Sequence, residues 1–400
     1  GSREDDDKMR DICVVSGVRT AIGDFGGVFR EMSAVDLGAV VVDEAIRRAG
    51  VPKDRIDDVI MGCCLQKYDE LTLGRLVGLK AGLPVDVPGV TIQRNCASGM
   101  QSMIYGAQMI QAGDAEIVVA GGVEAMSDGP YFIEGARWGL RLRPSQLKDA
   151  VWDGLTDAWS GLIMGLTAEN LADKYGISRE EQDEIALRSH NNAEAAIQAG
   201  RFKDEIVPVS VPQRKDKAKI VDTDEHPRFG LTMADLSRLK PTFKPDGTVT
   251  AGNASGINDA AAAAVLMSID AARDMGIRPL ARLVANGVAG VEPELMGYGP
   301  APATRKALTR AGVQLSHIEL IECNEAFAAQ YLACERLIEW DREIVNVNGS
   351  GIGLGHPVGA TGCRIVVTLL HEMTRRDVTL GLATLCVGGG MGMASIWERV

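Results

Sequence analysis

Aromatic residues make up only 4% of this 400-residue chain, so a stacking surface for bases is not among its main features. Basic charge is also in deficit: 42 Lys and Arg face 54 Asp and Glu, for a formal charge of −12. Nucleic acid requires a basic face, and that class of partner is excluded. An anionic ligand would have to rely on a local basic patch or on helix N-termini. No run approaches 18 consecutive apolar residues, so neither a transmembrane helix nor a membrane partner is expected. The eight cysteines (Cys13, Cys63, Cys64, Cys96, Cys323, Cys334, Cys363 and Cys386) form no C-x-x-C pair, and the five histidines stand apart from them. A metal site is therefore not expected. Cysteines dispersed in this way read as reduced thiols of a cytoplasmic protein. Residues 1–8, ending in Asp5-Asp6-Asp7-Lys8, read as an expression-tag remnant, with Met9 as the natural start and no signal peptide after it.

What is present describes an ordinary globular chain, 46% hydrophobic and 24% charged, long enough for two or three domains. Short apolar runs alternate with helix-length amphipathic segments, which predicts an α/β architecture. Strands are expected at 12–16, 59–61 and 117–120, the last ending on Gly121-Gly122. Ser33 with Asp36 and Ser178 with Glu181 read as capping boxes, and Gly50 and Gly200 as helix stops. Further helices are expected at 71–81 and from Cys96 to about 112. From Gly129 the tight alternation gives way to charged loops, three tryptophans and a charge run (Arg214, Lys215, Lys217, Lys219). Regular alternation returns with strands at 281–289, 318–321, near Val345 and 380–385, and helices at 325–338 and 360–373. Residues 9–128 and 273–400 thus read as two α/β halves, and 129–272 as an insertion between them. Each half carries a reactive turn, a helix opening on small residues, an apolar strand and consecutive glycines, which suggests a duplicated unit.

Three stretches carry chemistry. Asn95-Cys96-Ala97-Ser98-Gly99 places a cysteine at a strand-to-helix junction, where backbone N–H groups favour a thiolate and a developing oxyanion. The alternative there is a buried structural cysteine. Residues 348–359 hold five glycines around His356-Pro357, but match neither the G-x-G-x-x-G fingerprint nor a P-loop. His356 is a candidate base. Cys386 precedes Gly388-Gly389-Gly390, and Asn324 stands where it can be either a functional amide or a helix N-cap. No G-x-S-x-G occurs. Two thiols and one histidine suggest a covalent nucleophile activated by histidine and a second cysteine working on a carbon acid, which is the chemistry of Claisen condensation between thioesters.

From Met9 to its end the chain resembles the thiolases, at Asn95–Gly99, Asn324–Phe327, Gly355–Gly362, Cys386–Gly392 and Val249–Gly256. The resemblance implies a duplicated αβαβα layered fold with an inserted loop domain that holds CoA. It also implies an acyl-CoA C-acyltransferase that interconverts acetyl-CoA plus acyl-CoA with 3-ketoacyl-CoA plus CoA. In such an enzyme Cys96 would carry the acyl group, His356 would activate it and Cys386 would exchange the α-proton. The N–H groups of Cys96 and Gly388 would form one oxyanion hole, and His356 with a water held by Asn324 the other. Ser255 would contact pantetheine, while Met164, Met296, Phe243 and Phe327 would line the substrate tunnel. CoA and acyl-CoA would be substrates, with no permanently bound cofactor, and the protein would be a homo-oligomer, a dimer or a homotetramer, in fatty acid metabolism. Two departures stand out: Gly349-Ser350-Gly351 replaces the family's Gly-Gly-Ala, and Ile163-Met164 replaces the His-Met pair of short-chain relatives. A ketoacyl-synthase-like condensing enzyme and a non-catalytic acyl-CoA-binding homologue are the alternatives. The first normally sets two histidines beside its cysteine, where this chain offers Asn324 and Cys386.

Overall fold

The computed structural model describes residues 10–213 and 217–400. The tag remnant, Met9, and Arg214 and Lys215 of the charge run lie outside the described residues. One half of the chain supplies β1 (Ile12–Thr20), β2 (Asp58–Gly62), β3 (Gly89–Ile92), β4 (Ile117–Ala125) and β5 (Asn258–Ser268). The other supplies β6 (Ala281–Gly290), β7 (Leu320–Cys323), β8 (Leu380–Val387) and β9 (Met391–Arg399). They join in one mixed sheet, in the order β7-β8-β9-β6-β1-β5-β4-β2-β3.

The two halves have the same topology. Outward from the β1–β6 seam, β1–β5 and β5–β4 pair antiparallel, then β4–β2 and β2–β3 pair parallel. On the other side β6–β9 and β9–β8 pair antiparallel, then β8–β7 pairs parallel. The strand expected near Val345 is reduced to a single parallel bridge, Ile321 to Val345, because Arg342–Ile344 winds into a 3₁₀ turn beside it.

The helices that matter here are α1 (Ala34–Ala49), α2 (Leu73–Lys80), α3 (Ser98–Ala112), α4 (Met164–Tyr175), α5 (Arg179–Gln198), α6 (Pro300–Ala311), α7 (Ala328–Ile338) and α8 (Val358–Arg376). Ser33 and Ser178 cap α1 and α5 with the reciprocal Asp36 and Glu181 bonds, and Gly50 ends α1 in the left-handed region. Helices α3 and α8 pack together between the two half-sheets, where Met100, Met103, Ile365 and Leu369 share one core with Val118, Ala264, Leu385 and Met393. Helices α1 and α2 cover the outer face of the first half, and α6 and α7 that of the second. The result is a layered α/β/α/β/α fold. Contact between α3 and α8 depends on two glycines: a Cβ on Gly99 would lie 2.7 Å from Cys363 N, and one on Gly362 would lie 2.5 Å from Met100 N. Any side chain at either position would force the two helices apart.

Three expectations need correction. Gly121 and Gly122 do not end a strand but lie inside β4, where a Cβ would meet Ala262 O at 2.1 Å and Gly359 O at 2.0 Å respectively. They are there for close backbone approach. Strand β5 falls within the 129–272 interval read as an insertion, yet it lies in the middle of the sheet between β1 and β4. Its buried Ala260–Ala264 run fits where both faces are covered by helices, so the excursion from the core ends before Asn258. The helix expected from residue 325 starts only at Ala328. Buried Glu325 is drawn away from helical geometry by Ser189 Oγ at 2.5 Å and Asn346 Nδ2 at 3.1 Å, both of which donate to it.

Candidate active site

β3 ends at Ile92 and α3 begins at Ser98, so Cys96 sits in the connecting turn. Asn95 adopts a left-handed backbone, φ 42°, which asparagine tolerates better than most residues. Ser98 Oγ donates to the Asn95 carbonyl at 2.7 Å and accepts from Arg94 N–H at 2.8 Å, which locks the turn. The backbone N–H groups of Gly388 and of Cys96 itself favour the Cys96 thiolate. The junction was expected to favour a thiolate. Instead, burial pushes the Cys96 thiol up to about 11 against the pull of both amides. Cys96 stands two residues before the helix, outside its first turn, so desolvation wins. Cys96 therefore rests as a thiol, and to act as a nucleophile it would need a base.

His356 is fixed from both sides. Gly355, at φ 107°, lets the chain pass so close to Asn258 that a Cβ would lie 2.6 Å from the Asn258 side chain. The His356 N–H then donates to Asn258 Oδ1 at 2.8 Å. On the ring, Nδ1 lies 2.6 Å from Thr361 Oγ1, whose own proton goes to the Pro357 carbonyl at 3.0 Å. That hydroxyl can therefore only accept from Nδ1–H, which leaves Nε2 unprotonated. Burial, helped by the charge of buried Arg364, pushes the imidazole down to about 3. His356 is therefore neutral at ordinary pH, with Nε2 able to accept a proton.

Cys386 is the penultimate residue of β8 and is buried; desolvation, then the neighbouring Cys96, push its thiol well above the ordinary range. Asn324 follows β7, donates its N–H to Thr384 O at 3.0 Å and holds Nδ2 at 3.4 Å from each ring nitrogen of His356. Since α7 starts four residues later, Asn324 does not cap it.

Cys96, His356 and Cys386 line one cleft of about 900 Å³, together with Ser255, Ile163, Met164, Phe243, Met296 and Phe327. Phe243 and Phe327 meet edge to face at 6.3 Å, and Ser255 N–H donates to Ala326 O at 2.9 Å, which stitches the Ser255 loop to the Asn324–Phe327 loop. Asn324 reaches this cleft through His356, whereas Gly388 borders an adjoining recess that shares Cys96. Among the described residues no group of three or more His, Cys, Asp or Glu side chains can hold a metal ion. Sequence reasoning missed Asn258 and Thr361, and also buried Glu124. The Glu124 carboxylate accepts from Cys64 N at 3.1 Å, Leu65 N at 2.9 Å and Gly359 N at 2.7 Å, tying the cysteine side of the cleft to the histidine helix. A charge inside an otherwise apolar strand and a polar pair opening an alanine run were the available signals.

Models of known families match both halves: "Thiolase, N-terminal domain" over residues 12–270 and "Thiolase, C-terminal domain" over 277–399. An acetyl-CoA acetyltransferase of Pseudomonas aeruginosa is 51% identical over 392 residues, covering 98% of this chain and 100% of the relative. The crystal structure of the Bacillus anthracis acetyl-CoA acetyltransferase superposes with a TM-score of 0.97 at 51% identity, covering 98% of this chain and 99% of that one. Human mitochondrial 3-ketoacyl-CoA thiolase in complex with CoA superposes with a TM-score of 0.95 at 44% identity, covering 98% of each chain.

Proposed function

This chain belongs to the thiolase family, and from that premise we propose that Cys96 is its acyl carrier. The enzyme is an acyl-CoA C-acyltransferase, running the reversible condensation of acetyl-CoA and acyl-CoA to 3-ketoacyl-CoA and free CoA. One observation carries the assignment: Cys96, a neutral histidine, His356, and a second thiol, Cys386, line one cleft.

In the first half-reaction the Cys96 proton passes to His356 Nε2 as the sulfur attacks the thioester carbonyl. The tetrahedral oxyanion forms against the N–H groups of Cys96 and Gly388. Collapse expels the CoA thiolate, which takes its proton from the Cys386 thiol and leaves Cys386 as a thiolate. In the second half-reaction that thiolate removes an α-proton from acetyl-CoA. The enolate oxygen is held on the side of Asn324 and His356 while its carbon attacks the acyl-cysteine. Cys96 leaves as a thiolate and recovers its proton from His356. Every proton is returned, and the reverse sequence is thiolysis.

CoA acts as a substrate rather than a resident cofactor, with Ser255 beside its pantetheine arm and Met164, Phe243, Met296, Phe327 and Ile163 around the thioester and acyl group. Dimerisation fits the edge strand β3, whose Val90 is exposed next to exposed Tyr105. Tetramer formation fits the 131–152 loop, where Tyr131, Trp138, Leu140, Leu142 and Leu147 are all exposed. Eight free thiols support a cytoplasmic site of action, and the acyl-CoA substrate class supports a role in fatty acid metabolism. Among the described residues no helix is long and apolar enough to cross a membrane.

The test is direct. Incubation with acetyl-CoA should add one acetyl group, located on the Cys96 peptide and absent from Cys96→Ala. Adding acetoacetyl-CoA with CoA should then remove the enolate absorbance. An acetyl group on another cysteine would overturn the assignment.

A further inference from the structure

Behind Cys96 a second, small recess opens from the main cleft, walled by Leu65, Met126, Val151, Leu155 and Val358. On the far side lies a surface cleft of about 1040 Å³, bounded by Asp153, Thr156, Trp159 and Pro293. The two spaces share only Asn95, Gly154, Met164 and Gly388. At that shared wall, Asn95 Nδ2 donates to the Gly388 carbonyl at 2.9 Å and so joins the cysteine turn of one half to the glycine turn of the other. The contact is close: a Cβ on Gly388 would sit 3.3 Å from Asn95 Nδ2 and 3.6 Å from Met164 Sδ.

Asn95 cannot readily swing aside. Its carbonyl accepts from Ser98 Oγ at 2.7 Å and from the Cys64 thiol at 3.2 Å. Its left-handed backbone is part of the turn that presents Cys96. A methylene chain growing from the Cys96 sulfur into the apolar recess would meet this amide bridge, and passing it would break a hydrogen bond without replacing it.

We infer that Asn95 is a specificity-determining residue: its amide, tied to Gly388, closes the acyl recess and sets the longest acyl group that Cys96 can carry. The inference rests on Cys96 as acyl carrier. Without the bridge the recess runs into the Trp159 cleft, and straight-chain 3-ketoacyl-CoA substrates of medium length gain room.

The decisive variant is Asn95→Gly, because glycine keeps the left-handed backbone while removing the side chain. Thiolysis kcat/KM would be measured with four-, six-, eight- and ten-carbon 3-ketoacyl-CoA, with Cys96 acetylation followed by mass. Each methylene accommodated should be worth about fourfold. The eight-carbon to four-carbon ratio should therefore rise at least about tenfold over wild type. Should Asn95→Gly fold poorly, Asn95→Asp serves instead: it keeps the volume but sets an acceptor against the Gly388 carbonyl, and the same ratio should rise. A ratio unchanged in a variant whose Cys96 still accepts acetyl would overturn the inference, since a merely structural role lowers all substrates alike. Failure of wild-type Cys96 to acetylate would instead remove the reading on which it rests.

Discussion

Thr361 Oγ1 lies 2.6 Å from His356 Nδ1 and gives its own proton to the Pro357 carbonyl at 3.0 Å. One hydroxyl therefore decides which ring nitrogen is free to act. Thr361→Val keeps the shape but strands Nδ1–H without an acceptor and frees the ring to turn over. We expect kcat to fall about 10²-fold, the lower end of what a positioned general base supplies, with KM little changed. Thr361→Ser should restore most of the rate. Equal losses in both variants would show that the methyl group, not the hydroxyl, matters.

Cys386→Ala should separate the two half-reactions. Acetylation of Cys96 by acetyl-CoA needs no α-proton removed, only a proton for the departing CoA, which water can supply more slowly. Condensation and thiolysis should be lost. A rapid-quench mass measurement of acetyl-enzyme decides the point. A variant that never becomes acetylated would give Cys386 a role in the first step beyond proton supply.

The pH profile of acetylation should be flat. Burial holds His356 down to about 3 and Cys96 up to about 11, so both are neutral in the resting enzyme between those limits. Proton transfer between them leaves the net proton count unchanged. The rate constant for Cys96 acetylation should vary less than about threefold between roughly pH 6 and pH 9. A tenfold-per-unit rise centred near neutrality would place one of these ionisations inside the working range.

Much of this site was legible in the sequence because its parts are local. A cysteine in a turn of small residues, a histidine among glycines and a cysteine before three glycines announce themselves at short range. Ser33 with Asp36 and Ser178 with Glu181 were legible for the same reason. What failed depended on distant partners. Glu325 looks like helix because its partners, Ser189 and Asn346, are remote in sequence. Gly121 looks like a strand end because Ala262, which needs the space, lies in β5 across the insertion. The high thiol value of Cys96 follows from burial, which no local pattern reports.

Asn324 can be tested against a purely structural role. It caps no helix, and its side chain faces His356 at 3.4 Å. Asn324→Ala should lower turnover by about 10²–10³, the usual loss for one oxyanion donor. Thermal unfolding should shift by only a few degrees. A large drop in melting temperature with near-normal activity per folded molecule would assign the residue to folding instead.

Ile163 bears on chain length from the other side of the cleft. It precedes α4, pairs through an isolated bridge with Thr156 and lines the cleft beside Met164. A histidine there would present a hydrogen-bonding edge to the thioester region; isoleucine removes that edge and adds branched apolar surface. Each methylene of substrate buried against it is worth about 0.8 kcal/mol, so one or two extra carbons shift selectivity several-fold. The opposing effect is overfilling, because a β-branched side chain also takes up volume that a longer chain would use. The apolar residues Met296, Phe243 and Phe327 line the cleft with Ile163, so the apolar gain should prevail. We expect wild type to cleave five- and six-carbon 3-ketoacyl-CoA at least as well as acetoacetyl-CoA, and Ile163→His to move the preference toward four carbons. Comparing kcat/KM across the three substrates in both proteins decides it. A strict four-carbon preference in wild type that the substitution leaves untouched would assign chain-length control to the recess behind Cys96 alone.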